Sequence, residues 1–306
     1  EMETWLKQTA NPVDAAILHA LIGQSYMDRG YETDYRDKET NESYPEMALE
    51  HFRTSLKNKD ALAQVTVDSY LPLIDKKKDS ALFGHDLLSM LAAFVARNME
   101  SLENVPKSEV VALYSGLATY YEQRGNKDAA LLERLNELQV RQEYDGMDKS
   151  LKRMSPKEYK AALLDMISRN EGNSVCADVY SRLLDADMAP KEKLEYARIA
   201  MKKYPQSEFF NRFKSVEAEV LSPQLNVRME SRILCGKPIG TTVSFKNCSS
   251  VTFIIRGRNV PAKAKVQTFE LHPASDYTVC EDKLALSSLP AGNYRIIAEA
   301  DGAKDS

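Results

Sequence analysis

The chain has 306 residues, 43% of them hydrophobic and 28% charged, with a net charge of -4. That length accommodates two domains at about 100–200 residues each, and the evenly spread charge excludes the clustered basic footprint of a nucleic-acid binder. No run nears the roughly 20 apolar residues that span a bilayer, so no transmembrane segment is expected.

From Val13 the apolar residues Val13, Ala16, Ile17, Ala20 and Leu21 share one helical face, with Asn11-Pro12 as cap and first-turn proline. The helix is expected to end at Gly30. Tyr31 to Ser43 reads as a loop, and Tyr44-Pro45 opens a second helix that turns Met47, Ala48, Phe52, Ser55 and Leu56 inward. Helical periodicity continues over Ala61–Ile74, Leu82–Ser101, Val110–Gln123, Ala129–Tyr144, Pro156–Asn170, Val175–Asp185, Lys191–Tyr204 and Phe209–Leu221. Leu82–Ala96 is apolar nearly all round and reads as the most buried; Ser108 and Ser155 are placed as caps.

Two stretches share a spacing: Ile22-Gly23, Tyr26 and Gly30 match Leu117-Ala118, Tyr121 and Gly125. Both resemble the first helix of a tetratricopeptide repeat, where a small residue lets helices approach and a late Gly ends the helix. Ala130 stands at the small position of the second helix, and Ala48 is its counterpart in the first unit, displaced by about a dozen residues from the usual ~34-residue unit. Ala200 followed by Pro205 is a third partial match, whereas Arg134 and Glu137 depart from the pattern. The expectation is an all-α, tetratricopeptide-like array over 1–222.

Ser222-Pro223 marks the expected boundary, after which the period falls from 3.6 to two. Strands are predicted at Leu225–Met229, Thr242–Phe245, Val251–Ile255, Val266–Leu271 and Tyr277–Cys280. Two more lie on either side of Pro290-Ala291-Gly292 in KLALSSLPAGNYRIIAEA, joined by a tight turn. Gly236-Lys237-Pro238 and Asn247–Ser250 are turn chemistry. The expected fold class is multi-domain α and β: the helical array, then an immunoglobulin-like β-sandwich over 223–306.

The sequence GKP, then VSFKNCSSVTFIIRGRN, then LSSLPAGNYRIIAEAD resembles a macroglobulin-type β-sandwich of the alpha-2-macroglobulin family, with Leu289 to Tyr294 as the most specific part. In that family the motif introduces the final strand, Gly292 turning the chain and Tyr294 pointing into the core. Bacterial, Bacteroides-like members resemble the whole layout. The resemblance implies the N-terminal part of a longer protein, placed in the periplasm or at the cell surface and lipid-anchored in its full length. It also implies a protein partner, a protease or another envelope protein, within a family of protease-trapping inhibitors. The family's Cys-x-Glu-Gln thioester is supplied by none of VCADV, LCGKP, NCSSV or VCEDK.

No residue is assigned a catalytic, cofactor-binding or metal-binding role, and no cofactor or enzyme activity is expected. Phosphate-loop and nucleophile-elbow patterns are absent, as is the ligand spacing of zinc or calcium sites. His19, His51, His85 and His272 stand apart in sequence and read as packing or surface residues; Lys76–Lys78 read as a helix end, and Glu281-Asp282 and Asp145…Asp148 as turns. Cys176, Cys235, Cys248 and Cys280 read as small buried side chains, the last three leaving one disulfide open without choosing its pair. Tyr26, Tyr31, Tyr35 and Tyr44 cluster in sequence and read as helix packing before a binding face. The chain is therefore expected to be a non-catalytic docking or scaffold module; the alternative is a self-contained cell-surface protein capturing a peptide or glycan.

Overall fold

The computed structural model describes residues 1–32, 36–37, 41–70, 86–103, 105–144, 149–257, 265–300 and 303–305. Among them the chain forms eleven α-helices, a 3-10 turn and seven strands. It divides into two compact units, Glu1–Val179 and Tyr180–Ser306. The change from helix to strand falls at Ser222-Pro223, but the last two helices belong to the second unit.

The first unit opens with α1 (Met2–Gln8), a helix not foreseen in the sequence. Asn11 Oδ1 accepts the Val13 amide at 2.9 Å and starts α2 (Pro12–Glu32), which runs through Gly30. Ala16, Ala20 and Ile22 are buried on its inner face, while the expected core residue Leu21 is 41% exposed. Val13 is buried with them, so the face is the expected one save that Ile22 takes the inward place of Leu21. Against it packs α3 (Tyr44–Ser55), where Ala48, Phe52 and Ser55 are fully buried. Gly23 makes this possible, because a Cβ there would lie 2.6 Å from Cε1 of Phe52.

The helix expected over Ala61–Ile74 is instead α4 (Lys59–Ala63) followed by a 3-10 turn at Val67–Tyr70; positions 71–74 lie outside the described residues. The break falls after Ala63, where the isolated bridge Thr66↔Asp86 and the Leu87 amide on the Val65 carbonyl compete for the backbone. Asp86 caps α5 (Leu87–Glu100) by accepting the Ser89 amide, and Leu87, Leu88, Ala92, Val95 and Ala96 are wholly buried.

Next come α6 (Lys107–Gln123) and α7 (Lys127–Gln142), packed together across a turn in which Gly125 takes φ +73 and Asn126 caps α7. Glycine suits that left-handed position, which costs other residues energy. Ser108 is not a cap: Pro106 holds the N-cap position and Ser108 sits within the first turn. Ser155 does cap α8 (Pro156–Arg169), in a capping box with Glu158. Then α9 (Cys176–Leu183) carries the chain from the first unit into the second.

In the second unit α10 (Pro190–Lys203) and α11 (Phe210–Leu221) are bridged by Arg198 Nε to Glu217 Oε1 at 2.6 Å. The strands are β1 (Gln224–Met229), β2 (Ile239–Lys246), β3 (Ser250–Gly257), β4 (Lys265–Glu270), β5 (Cys280–Leu286), β6 (Tyr294–Ala300) and β7 (Ala303–Asp305). They form two antiparallel sheets, β1-β2-β5 and β4-β3-β6-β7. Alternate residues of both sheets bury in one apolar cluster, with Val243, Phe245, Val251, Phe253 and Leu286 at its centre. Phe253 meets Phe269 edge to face at 5.9 Å.

Three expectations for the strands change. Tyr277–Val279 are not strand: Tyr277 has φ 65 and Asp276 Oδ1 accepts from the Thr278 amide and hydroxyl, a local turn. β5 begins only at Cys280, and so Glu281-Asp282 are strand residues paired to Ser244 and Val243 rather than a turn. β5 and β6 are also not a hairpin, since they belong to different sheets and Ser287–Asn293 cross between them. Finally, Lys246 Nζ donates to the Glu219 carbonyl at 2.8 Å. Asn247 Nδ2 donates to the carbonyls of Val220 and Ser222 at 2.8 and 3.2 Å, so the β2–β3 turn caps the end of α11.

Candidate functional site

Helices α2 and α3 bring together residues that are far apart in sequence. His19 Nδ1 and His51 Nδ1 lie 2.9 Å apart, their rings 4.9 Å between centroids. One imidazole must donate and the other accept. Burial holds both rings below the ordinary 6.5, and for His19 the charges of His51 and then Lys57 add to it. The Tyr26 ring sits 5.7 Å from His51 and stacks on Tyr44 at 5.9 Å. Tyr26 donates its hydroxyl to Glu3 of α1, and Tyr44 to Asp37 at 3.0 Å. Burial and the Glu3 hydrogen bond push the Tyr26 phenol up to about 12.

Thus two histidines read as separate residues form a pair, and Tyr26 and Tyr44 are core residues, 9% and 7% exposed. His272 is exposed. His85, Lys76–Lys78, Asp145…Asp148 and Tyr35 lie outside the described residues. A faint signal for the pair existed: His19 and Tyr26 are seven apart, hence on one face of α2.

A second polar cluster lies inside the first unit. Glu133 of α7 is 1% exposed and stands three and four residues from the buried Ala130 and Ala129. Ser89 Oγ lies 2.5 Å from Glu133 Oε1. Asp86 accepts the Tyr121 hydroxyl at 2.7 Å and the Ser89 amide at 2.9 Å. Glu133 Oε2 has no hydrogen-bond partner among the described residues. Burial pushes the Glu133 carboxyl up to about 7, helped by the charge of Asp86 and opposed by hydrogen bonds from Ser89 and Asn136. Tyr121 is driven above its ordinary value by burial and by Asp86.

A third feature is open to solvent: a groove of about 570 Å³ against α7 and α8. Leu131, Leu138, Ala162 and Met166 give it an apolar floor, and arginines line its rim. Arg134 reaches Glu122 and Glu137 at 3.3 and 3.2 Å, Arg141 meets Glu137 at 2.8 Å, and Arg169 meets Asp165 at 2.9 Å. Arg134 and Glu137, the departures from the repeat pattern, are therefore rim residues here.

The four thiols are free. Cys176 and Cys248 are buried as expected, whereas Cys235 is exposed in the turn before β2 and Cys280 is half-buried. Among the described residues no three His, Cys, Asp or Glu side chains converge as a metal site, and no helix is long and apolar enough to cross a membrane. No protein-family model matches the sequence, and no curated protein matches it either.

Proposed function

We propose that the chain is a non-catalytic docking and scaffold module, the helical-plus-sandwich region of an extracytoplasmic alpha-2-macroglobulin-like protein. The observation that carries this reading is the crossing at Leu289–Tyr294. Tyr294, the first residue of β6, donates its hydroxyl to the Pro290 carbonyl at 3.1 Å, and a Cβ on Gly292 would meet its ring at 3.2 Å. A tyrosine that opens a strand and bonds back to upstream backbone where the chain changes sheets is the corner device of immunoglobulin-like sandwiches. The strand order, three against four with the β5–β6 link between the sheets, supports the same reading.

The helical part supports a repeat-like platform through close α2/α3 and α6/α7 pairs that meet at small residues. Gly23 lies against Phe52, and Ala118 is fully buried on α6. Docking on this platform uses the α7–α8 groove, which joins an apolar floor to a charged rim as protein-binding surfaces do. The partner is a protein, a protease or another envelope component.

Two experiments test the proposal. A photo-crosslinking residue at position 162, in the cell that makes the protein, should give one defined protein adduct that Leu138→Glu removes; adducts indifferent to that change would sink the docking role. The coding sequence around this segment should contain further sandwich domains and a Cys-x-Glu-Gln; their absence would remove the family assignment and leave a free-standing binding module.

A further inference from the structure

We propose that His19 and His51 form a proton-operated latch between α2 and α3, closed at neutral pH and forced open when both rings are protonated. The geometry is specific. The two Nδ1 atoms meet at 2.9 Å, a direct hydrogen-bonding distance. A neutral ring can accept there from a neutral or a singly charged partner, but an imidazolium has no acceptor atom. The pair therefore holds at most one bridging proton; a second places two N–H donors and two positive charges face to face.

The setting makes the contact matter. The pair lies on the two helices that approach each other through Gly23 and Phe52, and both rings are partly buried. Glu3 of α1, Glu50 of α3 and Lys57 just beyond α3 are the charged groups that act on the rings. Glu3 and Glu50 favour the first proton, while Lys57 disfavours it at His19. Glu3 is itself engaged by the Tyr26 hydroxyl. That bond ties α1 to α2, so α1 stays with α2 when α3 parts from it.

The direction follows from linkage. Both rings bind protons less readily folded than at the ordinary 6.5, so the unfolded or opened form binds more protons below that value. The closed form is favoured at and above neutrality and loses ground as pH falls below 6.5.

The test is hydrogen exchange on the full chain at about pH 7 and about pH 5, the range over which imidazoles charge. Protection in peptides from α2 and α3 should fall by about tenfold or more, the equivalent of ~1.4 kcal/mol, while α8 and the strands hold theirs. His19→Asn and His51→Asn keep a hydrogen-bonding side chain but remove the second charge of the pair, and each should shrink the drop to that of one buried ring. Equal protection at the two pH values in the wild type, or a drop undiminished in both variants, overturns the latch. Should a variant fail to fold, the imidazole C–H signals of the wild type decide. Two well-separated steps for the pair support the latch; one shared step refutes it.

Discussion

Replacing Glu133 by glutamine removes the titration of a carboxyl that is 1% exposed while keeping its shape. In the folded chain this group holds its proton up to about 7, against 4.5 for the free side chain. Between those values the folded state carries a proton that the unfolded state has released. Stability is therefore highest below 4.5, declines as pH rises through the window and levels off above 7. The gap of about 2.5 pH units at ~1.4 kcal/mol each amounts to ~3 kcal/mol. Glu133→Gln should lose that dependence.

Its absolute gain above pH 7 will be smaller, because the amide N–H that replaces Oε2 finds no acceptor, a cost of ~1–3 kcal/mol. The discriminating quantity is the slope of the difference between variant and wild type, read by urea unfolding with hydrogen exchange over α7. Taking the difference at each pH cancels the imidazole pair, which acts in the opposite direction below 6.5. If the difference stays flat from about pH 4.5 to about pH 8.5, Glu133 is not the proton-holding group and this reasoning fails.

Gly23→Ala gains about 1 kcal/mol of helix propensity but drives a methyl to within 2.6 Å of the fully buried Phe52 ring. Overpacking at ~1–3 kcal/mol should prevail, lowering the unfolding midpoint of the helical unit; an unchanged or raised midpoint would contradict the close α2/α3 approach. Tyr294→Phe removes the bond to the Pro290 carbonyl and should cost about 1 kcal/mol, seen as faster exchange in β6. Wild-type protection in that variant would show the corner to be idle. Ser155→Ala should cost about 1 kcal/mol through loss of the α8 cap. Hydrogen bonds to Ser155 hold Glu158 down at about 2, so in the wild type the carboxylate half of the box persists at pH 4.5 and fades only as pH falls towards 2. An α8 that melts at pH 4.5 would argue against it.

Local chemistry was the legible part. Asn11-Pro12 and Ser155-x-x-Glu158 announce helix starts because the cap and its target lie within three residues. The alternation of Leu284 and Leu286, and of Ile296 and Ala298, likewise shows which side of a strand is buried. Alternation names a face and not a neighbour, which is why β5 and β6 read as joined by a tight turn when they belong to separate sheets. Leu21 and Ile22 are 100° apart on a helix, and a small rotation exchanged their roles. The polar clusters were least legible, since His19 meets His51 and Ser89 meets Glu133 across 32 and 44 residues of chain.

The cap that the β2–β3 turn places on α11 bears on how such a protein can be cut and recombined. Lys246 is 7% exposed, and its acceptor is the Glu219 carbonyl; Asn247 relies on Val220 and Ser222. A strand cassette severed at Pro223 would leave a buried ammonium without that acceptor, which is costly. The heritable piece is longer than its strands: exchange between proteins, or grafting by design, has to carry α11 along with the sheets, and a joint set at the helix-to-strand change would break the contact that holds the two together.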